Sequence, residues 1–128
     1  MTGLMWGAAV LAAVLHVIFF VAESILWEKP SVARNFGMTP EQSRTTRLIA
    51  FNQGFYNLML ALGTFAGLVL WTQGRESVGL GIAAWCCLSM VVAALVLLAS
   101  APKLKAGALV QGLPPLVFLI LLALRLAG

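Results

Sequence analysis

Apolar residues occur along this chain in four long runs, which short polar segments separate. The runs cover about residues 4–27, 48–71, 78–99 and 106–124. A helix needs ~20 mostly apolar residues to cross the hydrocarbon core of a bilayer, so each run is long enough for one span. The pattern predicts an all-α, polytopic membrane protein, with one four-helix transmembrane bundle forming a single domain over residues 1–128.

The polar segments carry signals for the ends of these helices. Pro30 follows Glu28 and Lys29, and proline disfavours helix in the residue before it, so the first span should end near Trp27. The run from Thr39 to Gln42 predicts a helix start, with Thr39 as N-cap, proline at the first helical position and Gln42 completing a capping box. A helix from there to about residue 71 would be ~48 Å long, so its first turns should project from the membrane.

Composition supports the membrane interpretation. Hydrophobic residues make up 62% of the chain and charged residues 9%, whereas about 25% of the residues in a soluble domain are charged. The formal net charge of +4 does not indicate nucleic-acid binding, because the basic residues flank the apolar runs. We expect the first run to be a retained span and not a secretory signal, since no Lys or Arg precedes it and it exceeds the length of a signal core.

The distribution of basic residues predicts an orientation. The first and third loops contain six Lys and Arg residues, whereas the second loop and the two tails contain only Arg75 and Arg125. Because loops rich in Lys and Arg stay in the cytoplasm, the first and third loops should face the cytoplasm and both termini should face outward. The six basic residues are Lys29, Arg34, Arg44, Arg47, Lys103 and Lys105.

Polar side chains inside three of the spans define a candidate site. Such residues are costly in lipid and are therefore functional candidates. On the first helix, His16 and Glu23 are seven residues apart, which places them on one face of an ideal helix, about 10 Å apart along its axis. The other polar residues lie on the second and fourth helices at nearly the depth of Glu23. The candidate ligand-binding residues are Glu23, Asn52, Gln53, Tyr56, Asn57, Gln111 and His16.

A purely structural role is the alternative for each of these residues, because amides and hydroxyls also join membrane helices by hydrogen bonds. Glu23 is the strongest functional candidate, since a carboxyl at that depth needs a proton or a partner. One His and one intramembrane carboxyl are too few for a metal site, and no motif names a cofactor. Cys86 and Cys87 are interpreted as small packing residues, and the Gly63–Gly67 pair as a close helix contact. Pro114 and Pro115 should interrupt the fourth helix.

Four segments resemble a family of small bacterial membrane proteins known as domain of unknown function thirteen-oh-four. The segments are Glu23 to Pro30, Phe36 to Pro40, Asn52 to Asn57 and Val110 to Pro114, and the resemblance extends over almost the whole chain. It implies a four-helix integral membrane fold. We expect this fold in the bacterial inner membrane, where the orientation predicted from the basic residues would place both termini in the periplasm. The resemblance implies no settled activity.

A second resemblance concerns architecture alone. The membrane-associated eicosanoid and glutathione enzymes are also four-helix chains of this size, and Arg44, Arg47, Asn52 and Asn57 are similar in placement to residues of their second helix. Gln53 and Asn57 stand where that superfamily has an acidic residue, and likeness of fold does not establish function.

Three functional hypotheses therefore stay open, and they leave undecided whether the chain is an enzyme. The leading hypothesis is a pocket on the cytoplasmic half of the bundle that binds a membrane lipid or a small amphipathic ligand through Glu23 and the amides. The second is a proton-coupled small-molecule transporter in which Glu23 and His16 relay protons. The third is a trimeric membrane enzyme that uses glutathione, with Arg44 or Arg47 holding a carboxylate. We expect a homo-oligomer, since four helices are few for a transporter.

Overall fold

The computed structural model describes every residue from Met1 to Gly128, and all its regular structure is helical. Helix α1 continues into one π-helical turn, Val21–Ile25, and a short 3₁₀ turn, Pro102–Leu104, precedes the last helix. The helices are α1 (Thr2–Phe20), α2 (Pro30–Asn35), α3 (Pro40–Thr72), α4 (Glu76–Ser100) and α5 (Lys105–Ala127).

Four helical segments are long and apolar enough to cross a membrane, which confirms the predicted all-α class of multi-pass membrane protein. They are Thr2–Ile25, Pro40–Thr72, Glu76–Ser100 and Pro102–Ala127. The predicted start of α3 is also confirmed: the Gln42 N–H donates to Thr39 Oγ1 (3.2 Å), and the Thr39 N–H donates to Gln42 Oε1 (2.9 Å). These two bonds form the capping box.

Three local features differ from the prediction. The first helix ends at Ile25, two residues before the predicted end at Trp27. The fourth predicted span is not interrupted, because α5 continues through Pro114 and Pro115; each proline removes one donor, and the neighbouring turns keep their own hydrogen bonds. The first loop contains α2, which begins with Pro30 as its first helical residue.

The four long helices form a ring in the order α1, α3, α4, α5, with α5 packing back against α1. Their shared core combines small side chains with larger apolar ones: Met5, Ala9, Leu68, Leu80, Ala83, Cys87, Phe118 and Leu122. Cys86 and Cys87 are buried free thiols, as expected of packing residues. Small side chains suit a membrane bundle, because close packing between helices replaces the hydrophobic driving force available in water.

The closest approach between α3 and α4 depends on Gly67, one half of the predicted close-contact pair. A Cβ atom at this position would lie 2.6 Å from the Gly79 carbonyl oxygen and 2.9 Å from the Ala83 nitrogen, both backbone atoms. No side-chain rotation could relieve such a clash. The absence of a side chain at Gly67 therefore sets the distance between these helices, and the predicted helix contact is confirmed.

The bundle has two chemically distinct ends. The terminal end contains both termini and the α3–α4 turn; here the Trp6 and Trp71 rings stack with centroids 5.9 Å apart, and the Arg125 guanidinium lies 5.2 Å from the Trp71 centroid while pairing with Glu76. The loop end contains residues 26–39 and 101–104. The polar site lies toward the loop end.

Candidate functional site

The centre of the site is a hydrogen bond between α3 and the π-helical turn. The Asn57 Nδ2 donates to Glu23 Oε2 over 2.6 Å. Asn57 is buried, whereas Glu23 is half-buried. The predicted contact between Glu23 and the Asn52–Asn57 segment is therefore confirmed.

A second bond lies beside the first. Ser24 Oγ donates to the Phe51 carbonyl oxygen over 2.8 Å. In a regular α-helix, neighbouring residues point about 100° apart, but the wider π-helical turn rotates less per residue and brings Glu23 and Ser24 toward α3 together. Single π-helical turns of this kind occur frequently at functional sites.

Gly54 makes this double contact possible. A Cβ atom at position 54 would overlap Ser24 Oγ and would lie 3.1 Å from the Ser24 nitrogen and 3.2 Å from Glu23 Cβ. Because Gly54 has no side chain, the π-helical turn can pack directly on the backbone of α3. Gly54 lies in the family-like segment Asn52–Asn57, and neither Gly54 nor Ser24 was predicted to belong to the site. The signal that could have revealed both is a serine next to an intramembrane carboxyl, together with a glycine that follows two amides on the neighbouring helix.

Glu23 lines a cleft of about 370 Å³ between the end of the first span and α3. Apolar and charged side chains both contribute to its walls. The lining residues are Glu23, Ser24, Ile25, Leu26, Trp27, Glu28, Lys29, Pro30, Arg47 and Phe51. The size is near the lower end of the 300–1,000 Å³ typical of small-molecule sites.

Charged residues occupy the outer edge of this cleft. Arg47 Nε lies 3.4 Å from Glu28 Oε2, in an ion pair whose side chains are 71% and 46% exposed. Nearby, Trp27 Nε1 donates to Thr46 Oγ1 over 3.1 Å, and the Trp27 ring packs on Phe36. The exposed ion pair is screened by solvent and contributes little to stability, but the tryptophan contacts tie the loop to α3.

The remaining predicted site residues are not joined to the Glu23–Asn57 pair. Asn52, Gln53 and Tyr56 are exposed on the outer surface of α3, and none of their side chains forms a hydrogen bond within the chain. Gln111 is half-buried on α5 without a hydrogen bond to the pair. We expected polar residues from three helices to form one cluster. The hydrogen-bonded centre of the site instead contains one residue from each of two helical segments, Glu23 and Asn57.

His16 lies apart from the cleft. It is buried, and Nδ1 bonds to the Ala12 carbonyl of its own helix (2.9 Å), while the ring packs edge-on against Phe19. No hydrogen bond connects His16 to Glu23. Two residues seven apart lie on one face only if the helix between them is a regular α-helix. The π-helical turn changes the direction in which Glu23 points relative to His16.

The fold and this intramembrane carboxyl–amide pair together define a class of protein: a four-helix, multi-pass membrane protein with a polar cleft near one end of the bundle. The chain matches the family model described as a protein of unknown function (DUF1304) over residues 10–123. The chain belongs to this family. No curated protein matches the chain. No solved structure matches it either.

Proposed function

We propose that this protein binds a small amphipathic molecule or a lipid in the cleft between the π-helical turn and α3. The observation that carries the proposal is the position of Glu23, which lines the cleft while one of its carboxyl oxygens accepts the Asn57 hydrogen bond. Intramembrane carboxyls are costly, and a site that keeps one accessible gains a specific polar contact for a ligand. In this proposal Glu23 contacts the ligand and Asn57 positions Glu23.

The cleft also offers an apolar path for such a ligand. Phe51 at its wall packs against Phe55 (centroids 5.1 Å apart), and Phe55 packs edge-on against Phe20 (5.2 Å). This row leads from the cleft along the α1–α3 seam, away from the loop end. Ligand sites commonly combine apolar walls with a few placed polar groups, and this one has that composition.

A crosslinking experiment tests the proposal. Benzoylphenylalanine replaces Phe51, and in a matched protein it replaces Val96, which is 60% exposed on α4 near the same end of the bundle. Both proteins are extracted into nanodiscs with their native lipids and irradiated, and their masses are measured by intact-protein mass spectrometry. We expect one discrete, saturable adduct at position 51. At position 96 we expect a mixture of adducts whose masses follow the composition of the bulk lipids. The same bulk distribution at both positions would contradict the proposal.

The two other functional hypotheses stay as predictions with weaker support. A proton relay needs His16 and Glu23 to exchange protons, yet His16 bonds within its own helix. A glutathione site needs a free arginine, yet Arg44 Nε donates to the Pro40 carbonyl (3.4 Å) and Arg47 pairs with Glu28. Ligand-dependent proton movement in proteoliposomes would support the transporter, and a glutathione conjugate of an electrophile would support the enzyme.

We further propose that the protein forms a homo-oligomer in the bacterial inner membrane, with the loop end in the cytoplasm and both termini in the periplasm. The polar side chains of Asn52, Gln53 and Tyr56 on the outer face of α3 support an oligomer, because amides can pair across two copies. Native mass spectrometry of the chain and of its Asn52→Leu, Gln53→Leu double variant tests this. A monomer in both cases would contradict it.

A further inference from the structure

The two oxygens of the Glu23 carboxyl have different surroundings. Oε2 accepts the Asn57 hydrogen bond, whereas Oε1 has no hydrogen-bond partner in the chain. Oε1 is also not fully buried. The chain has one fully buried side-chain polar atom without a hydrogen-bond partner, and that atom is Nη1 of Arg125, at the terminal end. The Glu23 carboxyl thus has one anchored oxygen and one that is neither hydrogen-bonded nor fully buried, in a residue that lines the cleft.

The helix end beside Glu23 carries partial negative charge, the same sign as an ionised carboxyl group. The Leu26 N–H returns to the Val21 carbonyl (3.0 Å), and no backbone N–H of Trp27 or Glu28 bonds back into the helix. The last carbonyl groups of the segment therefore lack their usual donors, and the helix C-terminus carries partial negative charge. Carboxyl and helix end together favour a positive group in the inner part of the cleft.

Aromatic and aliphatic side chains surround the position that such a positive group would occupy. Trp27 and Phe51 line the cleft, with Phe51 48% exposed, and Ile25 beside them is 63% exposed. Aromatic faces attract cations, and the phenylalanine row toward Phe20 can cover an apolar chain. The acidic group thus lies where the row of aromatic rings begins.

The positively charged side chains of the cleft are more exposed to solvent than Glu23. Arg47 is at the exposed outer edge and already pairs with Glu28, and Lys29 is an exposed loop residue. Solvent screens charges at such positions more strongly than it screens the half-buried Glu23. An anionic head would also meet Glu23 itself, so the inner cleft discriminates against it.

We propose that the cleft selects cationic amphiphiles, in which an ammonium group is attached directly to an apolar chain. The ammonium contacts Glu23 Oε1 and the carbonyls at the end of the π-helical turn, and the chain lies on Phe51, Phe55 and Phe20. This inference rests on the proposed binding function and specifies its ligand class. The free energy comes from the ion pair with the half-buried Glu23, from contact of the ammonium with aromatic rings and from burial of the chain.

The test uses the benzoylphenylalanine-51 protein in nanodiscs of digalactosyldiacylglycerol, an uncharged lipid without an ammonium group. Dodecyltrimethylammonium and dodecanol have the same alkyl chain, so the crosslinking chemistry is equal for both. We expect half-saturation of the cation adduct at a concentration at least about ten-fold lower, which corresponds to about 1.4 kcal/mol. Tetramethylammonium, which has no chain, should not reduce formation of the cation adduct when it is present at equal concentration during irradiation.

Substitutions at two acidic residues, Glu23 and Glu41, complete the experiment. Glu23→Gln keeps the shape and the Asn57 bond, and it should bring the two half-saturation values to within about two-fold of each other. Glu23→Asp should retain a preference for the cation, and Glu41→Gln, at the exposed start of α3, should leave the preference unchanged. Thermal unfolding confirms that each variant is folded.

The outcomes separate the two proposals. Saturable binding with equal affinity for dodecanol and the cation would overturn the selectivity and leave the binding function standing. A cation preference that persists in Glu23→Gln would likewise overturn the role given to Glu23. A lower adduct yield with tetramethylammonium present would overturn the requirement for the apolar chain. Loss of any saturable adduct at position 51 would overturn the binding function itself.

Discussion

Ser24 and Gly54 are packed so closely that the hydroxyl of one fills the space where a side chain of the other would begin. The same hydroxyl donates to the Phe51 carbonyl (2.8 Å), so the contact is both steric and hydrogen-bonded. It places Glu23, the preceding residue, within reach of Asn57. The geometry of the site therefore depends on a glycine that carries no chemistry of its own.

Gly54→Ala should separate the π-helical turn from α3. Because the added methyl group meets Ser24 in a packed contact, we expect a loss of about 1–3 kcal/mol in stability together with loss of ligand binding. Thermal unfolding in detergent and the crosslinking assay measure the two effects. Gly81→Ala on α4 is the control, since nothing lies within 4 Å of a Cβ atom there. Equal behaviour of the two variants would refute the steric role of Gly54.

Asn57→Leu should destabilise the protein, because it removes the donor to Glu23 Oε2 inside the bundle. We expect a cost of about 1–3 kcal/mol, the usual penalty for a polar group left without its partner. Asn52→Leu is a matched change on the exposed face of the same helix, and in the detergent-solubilised monomer it should stay within about 0.5 kcal/mol of the parent. Chemical unfolding at constant detergent concentration compares them. A smaller cost at position 57 than at position 52 would argue against the pair.

Binding of dodecyltrimethylammonium should weaken as the pH falls, because protons and the ligand compete for the Glu23 carboxyl. The ligand has no titratable group, so the dependence reports the protein. The charged or polar groups around Glu23 are Asn57 and Arg47 on α3, and Glu28 and Lys29 on the adjoining loop. Glu23→Gln should abolish the dependence. A profile that is unchanged in this variant would assign the titration to another group.

The loop end should be cytoplasmic, and cysteine labelling in spheroplasts measures this directly. We expect a cysteine at Thr2 to react with an impermeant thiol reagent and a cysteine at Ser31 to react only after the membrane is opened. Cys86 and Cys87 are buried and should not interfere. Labelling at position 31 in intact spheroplasts, without labelling at position 2, would reverse the orientation and place the cleft on the outer side.

The spans, the capping box at Thr39 and the Gly67 contact were predictable from the sequence, because each depends on residues that are adjacent or one helical turn apart. Apolar runs of span length require helices in lipid, where every backbone group needs a partner within the segment. The contact between Glu23 and the Asn52–Asn57 segment was also predictable, since both lie one to two turns inside the same boundary and neither suits lipid.

Only the tertiary structure decided which of these polar side chains meet. Depth along a helix follows from counting residues, but direction around the helix depends on its neighbours and on local geometry. The π-helical turn changes that direction between His16 and Glu23, so that Glu23 faces Asn57 while His16 bonds to Ala12. Asn52, Gln53 and Tyr56 share the depth of the site but point outward from α3. One helical turn of altered pitch, accommodated by Gly54, therefore selects Asn57 as the partner of Glu23 from the polar residues that the sequence places at the same depth.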